Sequence, residues 1–437
     1  MSKLTIQWPD AHAEQVEAAK GRLDVSRRRL VARSPEGILS VLATVFDQWR
    51  DPQSKWRQRF REEFPQASGF SREVAEAGLD LALAEWTGDA LRRAVEAELQ
   101  GTALGSPRWV SPFSMTSVVL AGAIPMPSLL AMVLPLCVRS PVLVKSAARD
   151  PITPRLLAES LAEVDPELGR CIEVVSFSGS DAESLTRFLA AECVVASGSD
   201  ETIAAVSARI RPSQRFVAYG HKLSIALVRA GTRSDEELGA IAEALSVDIA
   251  LWDQLGCLSP VAAFVMGENP EKTIDVLGPA LADSLARRQS EWPRGEISLE
   301  AAAAIRGQRE EARMRAAGGS SIGIWASEGT EWTVIGEADL EWRPNPLHRF
   351  IRLHPLERED QLPEVLSPVV RNLSSVALAG FENDSERTAI AQLLSQRGAG
   401  RVCRAGRLQA PPMDWYHDGL PLVLPLARFT GLEISVD

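Results

Sequence analysis

The sequence predicts an α/β protein with two α/β domains behind a helical N-terminal region, and three observations carry that expectation. A chain of 437 residues, 45% hydrophobic and 24% charged, is long and apolar enough to bury two substantial cores. Its first hundred residues set apolar positions at helical spacing among Arg and Glu, around residues 11–19, 35–64 and 71–99, with Trp49, Trp56 and Trp86 adding bulk. After Pro107 the texture changes to short Val/Ile/Leu runs separated by helical stretches, the pattern of a parallel sheet faced by helices.

In chain order, the first unit shows strands near 142–145, 172–177, 193–197, 216–219 and 225–228, with helices near 154–163, 182–191 and 201–211. Before them lies a run without charge, from Trp109 to Val138, long enough to raise the question of a membrane span. Pro125, Pro127 and Pro135, with Ser114, Thr116, Ser117 and Ser128, divide it into a strand at 115–121, a turn, and a Pro-started helix at 128–136. A buried strand-turn-helix results, and no membrane span is expected. The second unit opens with a strand at 261–266. Helices near 271–288, 299–317 and 386–396 and strands near 322–326, 332–335, 350–353 and 376–379 follow, and then a tail.

Composition excludes several functions. A net charge of -11 disfavours nucleic acid and acidic membrane surfaces as partners. Five cysteines, at 137, 171, 193, 257 and 403, form no CxxC pair, so neither a zinc site nor a disulfide framework is expected, and a reducing cytoplasm suits the chain. The N-terminus has no apolar signal core and no transit pattern. There is no GxGxxG after a strand, no GxxxxGK[ST] and no HExxH, and Gly318-Gly319 to Gly323 reads as a loop.

The chain is organised around SVDIALWDQLGCLSPVAAFVM, residues 246–266. A helix runs toward Asp253-Gln254, a turn holds Gly256 and Cys257, and Pro260 opens a strand. A thiol on such a turn, with backbone N–H groups beside it, is favoured as thiolate and suits a covalent nucleophile; otherwise Cys257 is a small buried hydrophobe. Lys145 and Ser146 end a strand where a cation could meet a ribose or its phosphate. Ser197, Gly198 and Ser199 stand between a strand and a helix, where hydroxyls and N–H groups could meet a pyrophosphate, or form an ordinary cap. His221, in Gly220-His221-Lys222, is a proton carrier or a structural residue.

The order of AGAIPMP (121–127), VLVKS (142–146), ASGSDET (196–202), YGHKLSIALV (219–228), DQLGCLSP (253–260) and WYHDGLPLVLPL (415–426) resembles the LuxC-type acyl-thioester reductases of the aldehyde dehydrogenase superfamily. The resemblance implies an aldehyde dehydrogenase-like fold: a helical region over 1–100, a nicotinamide cofactor-binding domain over 101–220, a catalytic domain with Cys257 over 221–410 and a tail over 411–437. It places Cys257 on the nucleophile and Gln254 on the glutamine before it. Lys145 falls on the lysine at the adenosine ribose, and Ser199 on the serine near the pyrophosphate. It implies that Cys257 is acylated by an acyl-CoA or acyl-protein thioester and that reduction by NADPH yields an aldehyde, with His221 as a candidate proton donor at collapse. NADPH over NADH also fits the charge at Lys145, since no acidic residue follows Ser146 at once. An acyl-protein synthetase partner and a homo-oligomer follow from the same likeness. Two departures stand out: Ala218 replaces the glutamate that activates water in oxidative relatives, and Ala123 replaces the asparagine that donates to the oxyanion. Two other readings stay open. One is an acyltransferase or thioesterase using Cys257 with His221 or His417 and Asp418; the other is a catalytically impaired acyl-binding relative.

Overall fold

A computed structural model describes residues 10–100, 108–231 and 233–431. Strand β1 (Arg108–Pro112) lies apart from the first sheet, which comprises β2 (Thr116–Val119), β3 (Val142–Lys145), β4 (Ile172–Val175), β5 (Cys193–Ser197) and β6 (Arg215–Tyr219). These five are all parallel in the order β4-β3-β2-β5-β6. The central β2 and β5 are buried along nearly their whole length, which is why they read as uninterrupted apolar runs. Chain direction across the sheet reverses between β2 and β5, so the connections leaving their carboxyl ends diverge and open a crevice.

The second sheet holds β7 (Leu223–Arg229), β8 (Pro260–Met266), β9 (Gly323–Ala326), β10 (Thr333–Gly336), β11 (Phe350–Leu356), β12 (Leu373–Ala379) and β13 (Arg401–Arg404). Its order is β13-β12-β7-β8-β11-β10-β9, parallel except for the edge strand β9. The last strand, β14 (Ala427–Gly431), pairs antiparallel with β1.

The charge-free run folds as a strand and a short helix, Pro125–Cys137, three residues ahead of the expected start, because Pro125 and Pro127 occupy first-turn positions where a missing N–H costs nothing. Among the described residues no helix is long and apolar enough to cross a membrane. The N-terminal stretches break more often than their periodicity suggested. Residues 35–64 divide into Pro35–Arg50 and Lys55–Ser68, where Ser54 caps the second helix by accepting from Arg57 N–H. Residues 71–99 divide into Arg72–Leu83 and Gly88–Gln100.

These helices form no core of their own. Val16, Ala19 and Leu23 of helix Ala13–Ala32 pack with Val194 and Phe188, and Leu42, Phe46 and Phe60 share a second cluster with Leu129, Val133 and Leu157. The C-terminal stretch also returns to the body. Leu422, Val423, Leu426 and Ala427 enter that second cluster, and the Glu98 carboxylate accepts the N–H groups of Leu422, Val423 and Leu424 at 2.7, 2.7 and 2.8 Å.

Helix Arg72–Leu83 meets the second domain's central segment at Gly78. A Cβ there would lie 2.4 Å from the Trp252 indole, itself packed edge-on against Phe70 at 5.5 Å and Phe64 at 6.5 Å. Helix propensity alone favours Gly78→Ala by about 1 kcal/mol, whereas displacing a buried indole costs about 1–3 kcal/mol. The packing cost dominates, so Gly78→Ala is expected to lower the melting temperature; an unchanged or raised value in a thermal melt would refute that contact.

Candidate active site

Helix Asp235–Ala250 starts with a capping box from Ser234 and Glu237 and ends one residue before the chain turns sharply. The helix expected to carry Leu251 and Trp252 toward Asp253-Gln254 stops at Ala250. Trp252, Asp253 and Gln254 take left-handed backbone conformations, with φ of 54°, 50° and 63°. Each costs a non-glycine residue about 1–3 kcal/mol and persists only when its surroundings dictate it. Here they do. The buried Asp253 carboxylate accepts from Arg349 Nη2 at 2.8 Å and Nε at 3.2 Å, and from Gly295 N–H at 2.9 Å. Gln254, fully buried, donates both amide hydrogens to the carbonyls of Pro260 (2.8 Å) and Phe350 (2.7 Å) and accepts from Phe350 N–H at 2.7 Å. Arg349 closes a second left-handed run, Leu347, His348 and Arg349, with φ of 61°, 58° and 66°. Asn345 supports that run by accepting from Leu347 N–H and donating to Val261 and Phe350 carbonyls.

This arrangement sets Cys257 on a ledge before β8. Its carbonyl accepts from Ser224 Oγ at 2.7 Å, and the neighbouring Gly256 packs so closely on Ile124 that a Cβ would come within 2.7 Å of the Ile124 side chain. The thiol faces a cavity of about 620 Å³ between the two sheets. One wall is the β2 exit, with Gly122 and Ala123; a second is the β5 exit, with Ser197, Gly198 and Ser199. The end of β6 and its connection to β7 bring Tyr219, His221 and Lys222, the β10–β11 connection brings Trp342, β11 brings His354, and the C-terminal stretch brings His417 and Asp418.

The structure thus gathers Cys257, Gln254, His221, Ser197, Gly198 and Ser199 around one cavity, and leaves Lys145 and Ser146 outside its lining. The expectation of a resting thiolate at Cys257 is corrected: burial, reinforced by the Asp418 charge, pushes the thiol up to about 12, and the N–H groups of Cys257 and Leu258 with Lys222 only partly offset this. Gln254 is corrected to a positioning residue, because its carboxamide has no hydrogen left for a reacting atom. Ser199 Oγ accepts from Thr202 N–H at 3.3 Å as the cap of helix Asp200–Ser207, whose first turn carries Asp200 and Glu201. His221 is exposed at the rim, held by its N–H to Asp200 Oδ1 at 2.9 Å and its carbonyl from Asn372. Lys145 ends β3 with Nζ 5.1 Å from the Phe177 ring, and burial lowers its pKa against the pull of Asp10. Ser146 is buried, its hydroxyl 3.5 Å from the Val175 carbonyl, so it caps the sheet edge and does not face a ligand in the cavity.

His417 received no weight in the sequence as part of a reductase, yet its ring stacks between Tyr219 (4.3 Å) and Trp415 (4.9 Å), with Nε2 3.9 Å from Asp418 Oδ2. His354 also lines the cavity, but it is tied to the Asp339 carbonyl at 2.8 Å and stacked on Phe264. No group of His, Cys, Asp and Glu side chains able to hold a metal is present among the described residues.

A five-stranded parallel sheet whose switch point faces a cysteine ledge on a second sheet defines the aldehyde dehydrogenase fold. The chain superposes on a NAD-dependent benzaldehyde dehydrogenase from Corynebacterium glutamicum with a TM-score of 0.71 at 16% identity, covering 97% of this chain and 91% of that one. An oxidoreductase from Marinobacter aquaeolei gives 0.75 at 14% identity, covering 98% and 92%. Within that fold, residues 30–431 match the model of the acyl-CoA reductase (LuxC) family, and the chain belongs to that family. It is similar to long-chain acyl-protein thioester reductase 2 of Photobacterium leiognathi, 22% identical over 411 residues, which is 91% of this chain and 82% of the relative. A long-chain acyl-protein thioester reductase of Photorhabdus laumondii subsp. laumondii is 22% identical over 412 residues, with the same shares covered.

The clamp beneath the ledge is directly testable. Arg349→Met leaves the Asp253 carboxylate buried without its cation, and removing one member of such a pair costs about 3–5 kcal/mol. Chemical denaturation should show that loss, and a stability within 1 kcal/mol of the parent would mean the pair does not hold the two turns.

Proposed function

We propose that the chain reduces a fatty acyl thioester, carried on CoA or on a protein, to the aldehyde through a covalent acyl-Cys257 intermediate with NADPH as reductant. The observation that carries this reading is the Cys257 ledge facing the switch-point crevice across one cavity, in a chain of the acyl-CoA reductase family. The names of its relatives, long-chain acyl-protein thioester reductases, support a long-chain acyl group.

The residues present fit a nicotinamide dinucleotide: the cavity runs from the β5 exit to Cys257, and left-handed Gly122, with φ of 77° and open space where a Cβ would project, keeps the β2 exit clear. Gly122, Ser197, Gly198 and Ser199 would hold it, with Lys145 at the adjoining strand end. When bound, the cofactor supplies a hydride to the acyl carbon. Cys257 carries the acyl group, and the backbone N–H groups of Cys257 and Leu258 lie where charge on its sulfur, or on an oxygen beside it, is stabilised. Ala123 offers that oxygen a methyl group and no donor. At position 218 a methyl group on β6 replaces the water-activating carboxylate of oxidative relatives, which favours aldehyde release over hydrolysis. Five free cysteines suit a cytoplasmic setting, and a homo-oligomer and an acyl-protein synthetase partner fit the same family reading.

A second reading, a Cys-dependent acyltransferase or thioesterase, is favoured by His417 and Asp418 sharing the cavity with Cys257. Long-chain acyl-CoA with NADPH separates the two. The reductase oxidises NADPH in step with CoA release, and a thioesterase releases CoA alone. Cys257→Ala should take up no acyl group by intact mass, while variants of Cys137, Cys171, Cys193 and Cys403 remain labelled. Acylation of the Cys257→Ala protein would end the reading.

Cofactor choice has its own test at Lys145. A charge-assisted contact to a 2′-phosphate is worth about 1.5–3 kcal/mol, so Lys145→Ala should weaken NADPH more than NADH in fluorescence titrations. Equal losses would mean that the lysine meets the ribose and not the phosphate.

A further inference from the structure

Cys257 and His417 line one cavity, where burial favours the Cys257 thiol, and the acylation chemistry needs a thiolate at the moment of attack. Something must therefore take its proton when the thioester arrives. His221 is poorly placed for this, exposed at the rim and fixed through its backbone. His354 is committed to a carbonyl and a stacking partner. His417 differs from both: the rings of Tyr219 and Trp415 fix its plane on the two faces, and no hydrogen bond from its own ring is present among the described residues. Asp418 lies 3.9 Å from His417 Nε2, lines the same cavity as Cys257, and its charge is felt at the thiol. Asp418 is itself anchored by Ser374 Oγ at 3.1 Å and by a left-handed backbone with φ of 53°.

We propose that His417, oriented by its two aromatic neighbours and charge-balanced by Asp418, is the acid–base group for the acylation of Cys257 by the thioester. This deepens the reductase reading and rests on it. In the step, His417 accepts the Cys257 Sγ proton as Sγ attacks the acyl carbon. The bond from that carbon to the departing sulfur then breaks, and the released thiolate takes the proton back from the imidazolium. One C–S bond forms, one breaks and one proton moves out and back, so no oxidant or reductant takes part. The ionisable groups around the ring are Asp418 beside it, Tyr219 on one face, Cys257 across the cavity, and Lys222 and Glu98, whose charges reach Cys257 and Tyr219 respectively. Burial lowers the pKa of His417 below its ordinary value, with Asp418 opposing, so the ring is the neutral base at neutral pH.

The test uses the full chain with long-chain acyl-CoA and no nicotinamide, following acyl-Cys257 by intact mass and CoA release in a single turnover. In His417→Gln, acylation should slow by on the order of a hundred- to ten-thousand-fold. The parent's rate should level off above the His417 titration. The variant's should climb about tenfold per pH unit through pH 9, because only hydroxide is left to deprotonate a thiol pushed up to about 12. His417→Ala should recover part of the rate with added imidazole. A His417→Gln protein with the parental rate and pH profile would overturn the assignment while Cys257 acylation stands. A parent that takes up no acyl group at all would overturn the reductase reading and this step with it. Should the variants fail to fold, histidine NMR on the parent decides: alkylating Cys257 should shift the titration of His417, and an unmoved His417 would refute the coupling.

Discussion

The buried Asp253–Arg349 pair is the interaction on which the rest of the site depends. It joins two three-residue left-handed runs, 252–254 and 347–349, distant in sequence and both built from residues that ordinarily avoid that region of backbone space. Neither run would hold its shape alone. Charge-assisted bonds between buried groups are strong enough to offset such strain, and the Gln254 carboxamide adds three more, two to Phe350 next to the second run and one to Pro260. Each of these donors and acceptors is buried and paired, so loosening one turn strands partners in the other. That coupling makes the ledge under Cys257 rigid.

Rigidity carries an electrostatic consequence. Burial near Asp418 pushes the Cys257 thiol up and so opposes its ionisation. The N–H groups of Cys257 and Leu258 act the other way and favour charge on that sulfur. Ala123 lines the β2 exit with a methyl group and offers no side-chain donor, so the polar hydrogens beside the Cys257 sulfur are those of the ledge backbone.

How much of this was legible in the sequence follows the range of the interactions. β3 and β5 were found to the residue, as was helix Leu299–Ala317, because burial on both faces or a long helical period is a local pattern. The edge strands β1, β13 and β14 were missed. They are short, and β1 finds its partner more than three hundred residues away. The breaks at residues 51–54 and 84–87 were also missed, since apolar spacing continues across them. At the site, DQLGCLSP marked the ledge and its cysteine. Gln254 was given a chemical role because its three bonds are to residues 260 and 350, invisible until the chain is folded. Lys145 and Ser146 were correctly placed at a strand end, but which side of that end faces the cavity depends on Phe177 and Val175.

The first hundred residues contain no motif, yet they brace the site at both ends. Gly78 receives the Trp252 indole that begins the strained turn, and the Gly69 carbonyl accepts Glu296 N–H next to the Gly295 that binds Asp253. On the other side Glu98 gathers the N–H groups of residues 422–424, and Trp86 Nε1 reaches the Pro411 carbonyl at 3.4 Å. The segment between those two anchors is the one that carries Trp415, His417 and Asp418 into the cavity. A helical layer that only filled space would need neither contact. This layer braces the Cys257 turn from one side and the His417 segment from the other, so the two residues that line one cavity are both supported by it.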